Sequence, residues 1–103
     1  MLFTTEEVQQ FISGLYSLAQ SKVARSIDLL EKYQYHLSMP HSKMIEHNLY
    51  ELRIKGKIEI RIMYTFQAAT IILFYGFIKK SQKIPKQELR TIYQKYIQIS
   101  HLT

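Results

Sequence analysis

The 103-residue chain contains no cysteine, which excludes disulfides, thiolate metal ligands and thiol nucleophiles. This composition is typical of a reducing compartment, so we expect a cytoplasmic protein. The longest apolar run, residues 68–78, falls well short of the roughly 20 residues needed to cross a bilayer. The N-terminal MLFTTEE has no cationic region ahead of an apolar one. We therefore expect neither a signal peptide nor a membrane span.

The chain also lacks the common signatures of metal- and nucleotide-dependent enzymes. It has no P-loop, GxGxxG, HExxH or nucleophile elbow, and its strand-like region has no close carboxylate pair suited to a divalent cation. His36, His41 and His47 lack the spacing of metal ligands, and His101 lies near the C-terminus. These absences disfavour metal-dependent and Ser-His-Asp hydrolysis. We expect a single domain over residues 1–103 with no metal and no cofactor.

Residues 49–85 predict three consecutive β-strands. Apolar and polar residues alternate in 50–54 and in 58–66, which is the period of a half-buried strand. The third run, 70–78, is apolar at nearly every position and ends in Lys79-Lys80. Continuous apolarity of this kind is typical of a central strand covered on both faces. The sequence therefore predicts a sheet with cations at the exit of its central strand.

The turn Lys55-Gly56-Lys57 joins the first two of these strands, and parity restricts their pairing. A two-residue loop would set the apolar face of one strand against the polar face of the other, so an odd loop or a bulge is required. With three loop residues centred on Gly56 or Lys57, we expect Leu52 near Ile60 inside. Arg53 and Arg61 would then share the outer face.

Helices are predicted on both sides of this region. Thr4 and Glu7 form a capping-box pattern that predicts a first helix, and a second is expected from Ser17 to about Leu37. Pro85 suits the first turn of a last helix. No strand is evident before Thr4. The predicted fold is α+β, with an N-terminal helical hairpin on a three- to four-stranded antiparallel sheet and a C-terminal helix.

The net charge of +6 is unevenly distributed. Residues 1–42 carry a net −1, whereas residues 43–95 carry eleven Lys and Arg against four Glu, a net +7. A positive field of this kind favours a polyanion or an acidic protein partner. The simpler alternative is a solubilising surface. We nominate five lysines as contacts to the backbone of a polyanion such as RNA: Lys43, Lys55, Lys57, Lys83 and Lys86.

Three segments together resemble a known family. LYELRI, the strand Ile60-Arg61-Ile62-Met63-Tyr64 and the segment ILFYGFIKKSQKIPKQEL resemble phage-derived HigB-type toxins of the RelE/ParE superfamily. The hallmarks of that family are an LxELR strand, a YRxxY strand and GFxKKxxxxP before a helix with a Glu. The resemblance covers roughly residues 4–100. Ile60 stands where the family usually has an aromatic residue, which removes a possible base-stacking contact.

The resemblance implies a RelE-like toxin held inactive by a helix-turn-helix, HigA-like antitoxin. It also implies metal-independent, ribosome-dependent cleavage of mRNA, which inhibits translation. The residues that match the motifs are Arg53, Arg61, Lys79, Lys80, Lys83, Pro85 and Glu88. We expect Arg53 and Arg61 to bind phosphate and transition-state charge, because a guanidinium can bind two oxygens at once. Lys79 or Lys80 would transfer a proton or hold the backbone.

Each assignment has a structural alternative. Arg53 could simply pair with Glu51 or Glu59, and Lys79-Lys80 could serve only solubility. Tyrosines at core positions, such as Tyr64 and Tyr75, pack more often than they stack on bases. At the level of function, two alternatives remain: a ParE-like DNA gyrase poison, which binds without catalysis, and an inactive phage-derived interaction protein.

Overall fold

A computed structural model of the chain describes residues 1–100 and shows helices on both faces of a five-stranded sheet. Its elements in chain order are β1 (Leu2–Thr4), α1 (Glu6–Ser13), α2 (Ser17–Tyr33), a 3-10 turn (Gln34–His36), β2 (Ser42–Glu46), β3 (Leu49–Ile54), β4 (Glu59–Gln67), β5 (Thr70–Lys79) and α3 (Lys86–Ser100). The strand order across the sheet is β1-β5-β4-β3-β2. The α+β class and the three central strands are confirmed.

The N-terminus departs from the sequence prediction. Residues before Thr4 do form a strand, β1, which pairs parallel to β5 through Leu2–Ile71, Phe3–Ile72 and Thr4–Leu73. The sheet is therefore mixed and five-stranded rather than antiparallel with three or four strands. A three-residue strand is too short to show a period, and its position depends on a partner about 70 residues away.

The helix boundaries also shift slightly. α1 begins at Glu6, because Thr5 rather than Thr4 is the N-cap, with its hydroxyl accepting a hydrogen bond from the backbone N–H of Val8. α2 ends at Tyr33 instead of continuing to Leu37 as one helix. Pro85 lies one residue ahead of α3, and its carbonyl accepts from the N–H of Leu89.

The β3–β4 hairpin confirms the parity prediction and corrects the register. Ile54 pairs with Ile60 and Leu52 with Ile62, so the partner of Leu52 lies two residues beyond the predicted Ile60. Arg53 lies directly opposite Arg61. Directly paired residues of antiparallel strands point to the same face, and both guanidiniums therefore belong to one side of the sheet.

The two faces of the sheet bury separate apolar cores. The face under α1 and α2 includes Leu52, Ile54, Ile60, Ile62, Tyr64, Phe66, Ile71 and Leu73. The opposite face packs Leu49, Met63, Phe74 and Phe77 against Ile92 of α3. This leaves the end of that second face, beside the β3–β4 turn, for the charged residues. Within residues 1–100 no helix is both long enough and apolar enough to cross a membrane.

Candidate functional site

An open cleft of about 460 Å³ lies on the α3 side of the sheet, at the end next to the β3–β4 turn. We call it the central cleft, and its lining residues are Arg53, Glu59, Arg61, Lys79, Lys80, Ser81 and Gln82. The strand register places them there: Arg53 is opposite Arg61, and Glu59 is opposite Lys79. All four residues nominated for catalysis line this one cleft.

Arg61 forms the floor of the central cleft, and its side chain is only 1% exposed. A buried guanidinium is costly unless it is paired and hydrogen-bonded. Its Nη1 donates to the carbonyl of Ile60 at 3.1 Å, and its Nη2 donates to Glu59 Oε1 at 3.3 Å. Arg61 is therefore held rigidly, with much of its donor capacity already occupied.

Arg53 is more accessible, with 16% of its side chain exposed. Its Nη1 lies 3.2 Å from the Met39 sulfur, a weak acceptor. The Nε atoms of Arg53 and Arg61 are both buried and have no hydrogen-bond partner within residues 1–100. Both terminal nitrogens of Arg61 donate to oxygens, whereas Nη1 of Arg53 has only the sulfur. Arg53 therefore has more donor capacity left for a bound anion than Arg61 has.

Glu51 is the site residue that sequence reasoning treated only as a possible partner. Its Oε1 lies 3.6 Å from Arg53 Nε and 3.7 Å from Arg61 Nε, and its side chain is 4% exposed. Two arginines directly opposite each other on a sheet repel. A buried carboxylate between them offsets that repulsion, so Glu51 serves to hold the pair together. The sequence feature that indicates this role is the position of Glu51, two residues before Arg53 and so on the same face of the strand.

Glu59 supplies the carboxylate of the central cleft that is open to solvent. Its side chain is 40% exposed, and it bonds to Arg61 at 3.3 Å. It lies opposite Lys79 in the register, and Lys80, Ser81 and Gln82 complete the rim beyond the end of β5. The cleft therefore brings a proton acceptor, two guanidiniums and two ammonium groups together.

The other nominated lysines lie outside the central cleft. Lys43 is exposed on β2 opposite Glu51, at the edge of the same face. Lys55 is exposed at the end of β3 and lines a second cleft described below. Lys57, Lys83 and Lys86 are exposed and are absent from the linings of both clefts.

The structure places the candidate aromatic contacts in the cores. Ile60 is 1% exposed and faces α1 and α2, so a residue at position 60 points away from the central cleft whatever its side chain. Tyr64 is buried, stacks on Tyr50 and hydrogen-bonds to Ser42. Burial raises the pKa of Tyr64 to about 12, and the Ser42 hydrogen bond opposes that shift.

Tyr75 and Glu88 form a separate polar contact on the α3 side. The Tyr75 hydroxyl donates to Glu88 Oε1 at 2.5 Å. Burial, followed by this hydrogen bond to a carboxylate, raises the pKa of Tyr75 above its ordinary value. Glu88, which the family motif also carries, therefore binds α3 to β5 and is absent from the lining of the central cleft.

Family comparison places the chain in a RelE/ParE-like toxin class. A family model described as "Phage derived protein Gp49-like (DUF891)" matches residues 10–97. The match covers most of the chain, and the protein belongs to this phage-derived family. The matched segment runs from the second half of α1 through α2 and strands β2–β5 into most of α3. Comparison with curated proteins finds no match.

Proposed function

We propose that the protein is the toxin of a type II toxin–antitoxin system, of the HigB type, and cleaves mRNA on the ribosome. The observation that carries the proposal is the central cleft, where Arg53, Arg61, Lys79 and Lys80 surround the partly exposed carboxylate of Glu59. Membership of a RelE/ParE-like family supports the same function.

Phosphate recognition falls to the cations of the central cleft. Arg53 is the more exposed arginine, and its Nη1 has only the weak acceptor Met39 sulfur, so it binds the scissile phosphate directly. Arg61, fixed below it by Glu51 and Glu59, stabilises the charge that develops on the phosphorane. One well-aimed cationic donor at such a site is worth about 3 kcal/mol of transition-state stabilisation.

Cleavage needs one proton taken up and one proton supplied. The 2′-oxygen of the substrate attacks the adjacent phosphorus, the bond from phosphorus to the 5′-oxygen breaks, and a 2′,3′-cyclic phosphate forms. Glu59 accepts the 2′ proton, because it is the carboxylate of the cleft lining and is 40% exposed. Lys79 or Lys80 supplies a proton to the departing 5′-oxygen. No step in this scheme requires a metal.

The ribosome and an antitoxin are the partners of this scheme. The central cleft is open, so a flexible strand that enters it needs further alignment for attack. The decoding centre of the ribosome would supply that alignment. A helix-turn-helix antitoxin would neutralise the toxin by covering the cationic face or by blocking entry to the ribosome.

The test is induced expression of the wild-type chain and of single variants, followed by primer extension on cellular mRNA. We expect wild-type protein to arrest translation and to leave cuts with 5′-hydroxyl ends. Arg53→Ala, Arg61→Ala and Glu59→Gln should each reduce cleavage about 100-fold, which is the usual effect of losing a single stabilising or proton-transfer group.

The matched control is Arg90→Ala, which removes an exposed arginine from α3, outside the lining of the central cleft. It should cleave like the wild type. Full toxicity in a folded Arg61→Ala protein would refute the assignment. Filamentation with DNA damage and intact mRNA would replace it with a gyrase poison.

A further inference from the structure

A second cleft, of about 260 Å³, adjoins the central cleft on the other side of Arg53. We call it the flanking cleft, and it lies between α2 and the end of β3. Its lining residues are Lys22, Arg25, Ser26, Leu29, Pro40, His41, Arg53, Ile54 and Lys55. Arg53 belongs to the lining of both clefts, so the two clefts meet at this residue.

The flanking cleft is lined by cations without carboxylates. Lys22, Arg25, Arg53 and Lys55 contribute positive charge, and no Asp or Glu is in the lining. Within residues 1–100, neither Lys22, Arg25 nor Lys55 lies within ion-pair distance of an acidic side chain. Their charge is therefore not neutralised inside the protein, in contrast to that of Arg61.

The arrangement follows from the helical period of α2. Lys22, Arg25, Ser26 and Leu29 are spaced at i, i+3, i+4 and i+7, so they form one stripe of the helix. Asp28 and Glu31, the acidic residues of α2, fall outside that stripe. Sequence reasoning assigned residues 1–42 a net negative charge and so overlooked this local positive surface.

The side chain of Lys22 lies against the β3–β4 turn. Gly56 lies so close to this side chain that a Cβ at position 56 would approach Lys22 Nζ to 2.6 Å. The absence of a side chain at Gly56 thus leaves room for the ammonium group beside the β3–β4 turn. Lys55, the preceding residue, is exposed at the same turn.

We propose that the flanking cleft is a second RNA subsite, which binds the phosphate backbone of the strand whose scissile phosphate occupies the central cleft. Unpaired cations in a groove are suited to a polyanion, and their continuity through Arg53 favours a single strand crossing both clefts. Leu29, Pro40 and Ile54 give the cleft an apolar part on which a ribose or base can pack. This inference rests on the proposed function in one respect: it takes as ligand the same RNA strand that is cleaved in the central cleft.

The experiment measures binding of fluorescent, 2′-O-methylated single-stranded RNA, which cannot be cleaved, in 4-nucleotide and 12-nucleotide lengths. The test variant is Lys22→Gln/Arg25→Gln, and the matched control is Lys32→Gln/Arg90→Gln, which also removes one Lys and one Arg. Lys32 and Arg90 are exposed and line neither cleft. Circular dichroism confirms that each protein is folded.

We expect the test variant to lose about tenfold in affinity for the 12-nucleotide RNA, since two phosphate contacts disappear. It should lose less for the 4-nucleotide RNA, and the control should change by less than about twofold for either. If the test variant does not fold, Lys55→Glu in the exposed turn replaces it and should weaken long-RNA binding to a similar extent.

The two proposals fail in different ways. If wild-type protein cuts no mRNA but the test variant still loses long-RNA affinity, the flanking subsite stands and the nuclease assignment falls. If the test variant binds long RNA as well as the control does, the subsite is refuted, whatever the cleavage result. The subsite would also be refuted if an acidic peptide competed with RNA for the wild-type protein while the test variant kept its full affinity for RNA. That result would favour a protein ligand for the flanking cleft.

Discussion

Glu51 shows how a single residue controls the candidate site. It is a buried carboxylate within 3.7 Å of two guanidinium nitrogens, from Arg53 and Arg61. Without it, two like charges would face each other across β3 and β4 in a poorly solvated position. The cations of the central cleft are thus neither free of carboxylates nor fully neutralised by them.

We predict that Glu51→Ala destabilises the fold by about 3 kcal/mol, because removal of one partner leaves a buried charge uncompensated. Chemical denaturation measures the change in the free energy of unfolding. Glu7→Ala is the matched control, since Glu7 pairs with Lys95 at the surface with 53% of its side chain exposed. It should cost no more than about 1 kcal/mol. Equal stability of the two variants would contradict a structural role for Glu51.

At the scale of elements, α1 is held against β5 by a close approach at Gly76. A Cβ at position 76 would lie 2.5–3.1 Å from three ring atoms of Phe11, so only glycine fits beneath that ring. Phe11 packs on the core under α1 and α2, and Gly76 lies opposite Ile62 in the sheet. In the sequence, Gly76 merely interrupts an apolar strand. The structure explains why glycine is needed there, because the ring of Phe11 in α1 packs against that position.

We predict that Gly76→Ala destabilises the protein by about 2 kcal/mol through overpacking against Phe11. Thermal or urea denaturation measures the change in the free energy of unfolding. In a Phe11→Leu background the same substitution should cost less, because the two residues are coupled. Gly14→Ala is the control: its φ is −82°, and its nearest contacts would be at an ordinary 3.6 Å. An additive double variant would exclude the Phe11 contact as the cause.

At the scale of the molecule, the sheet separates two tasks. One face, under α1 and α2, is mainly apolar and provides stability. The other is covered by α3 over part of its area and carries the central cleft over the rest. Arg53, near the β3–β4 end of the sheet, belongs both to the central cleft and to the flanking cleft, which the cations of α2 line.

We predict that binding of single-stranded RNA weakens steeply with salt, since both clefts bind phosphate through cations. With four or five phosphate contacts, the logarithm of the binding constant should fall with the logarithm of salt concentration with a slope of about −3. Fluorescence titration at several salt concentrations measures the slope. Arg90→Ala should leave it unchanged, whereas Arg53→Ala should make it shallower. A wild-type slope near zero would rule out recognition through the RNA backbone.

Local patterns determined most of the architecture. The alternation in residues 50–66 defined two strands and their faces, the apolar run 70–78 defined a central strand, and parity required Arg53 and Arg61 to share a side. These properties depend on the two-residue period of a strand, which a sequence records directly. The nominated set Arg53, Arg61, Lys79 and Lys80 follows from that period together with the family resemblance.

What the tertiary structure alone decided depends on contacts between residues far apart in sequence. β1 is a strand only because β5 pairs with it, and Glu51 meets Arg61 only because β3 pairs with β4. Likewise, Lys22 and Arg25 line one cleft with Arg53 only once α2 has packed over β3. Periodicity specifies which way a side chain points, whereas long-range packing specifies which charges it meets and how much water remains around them.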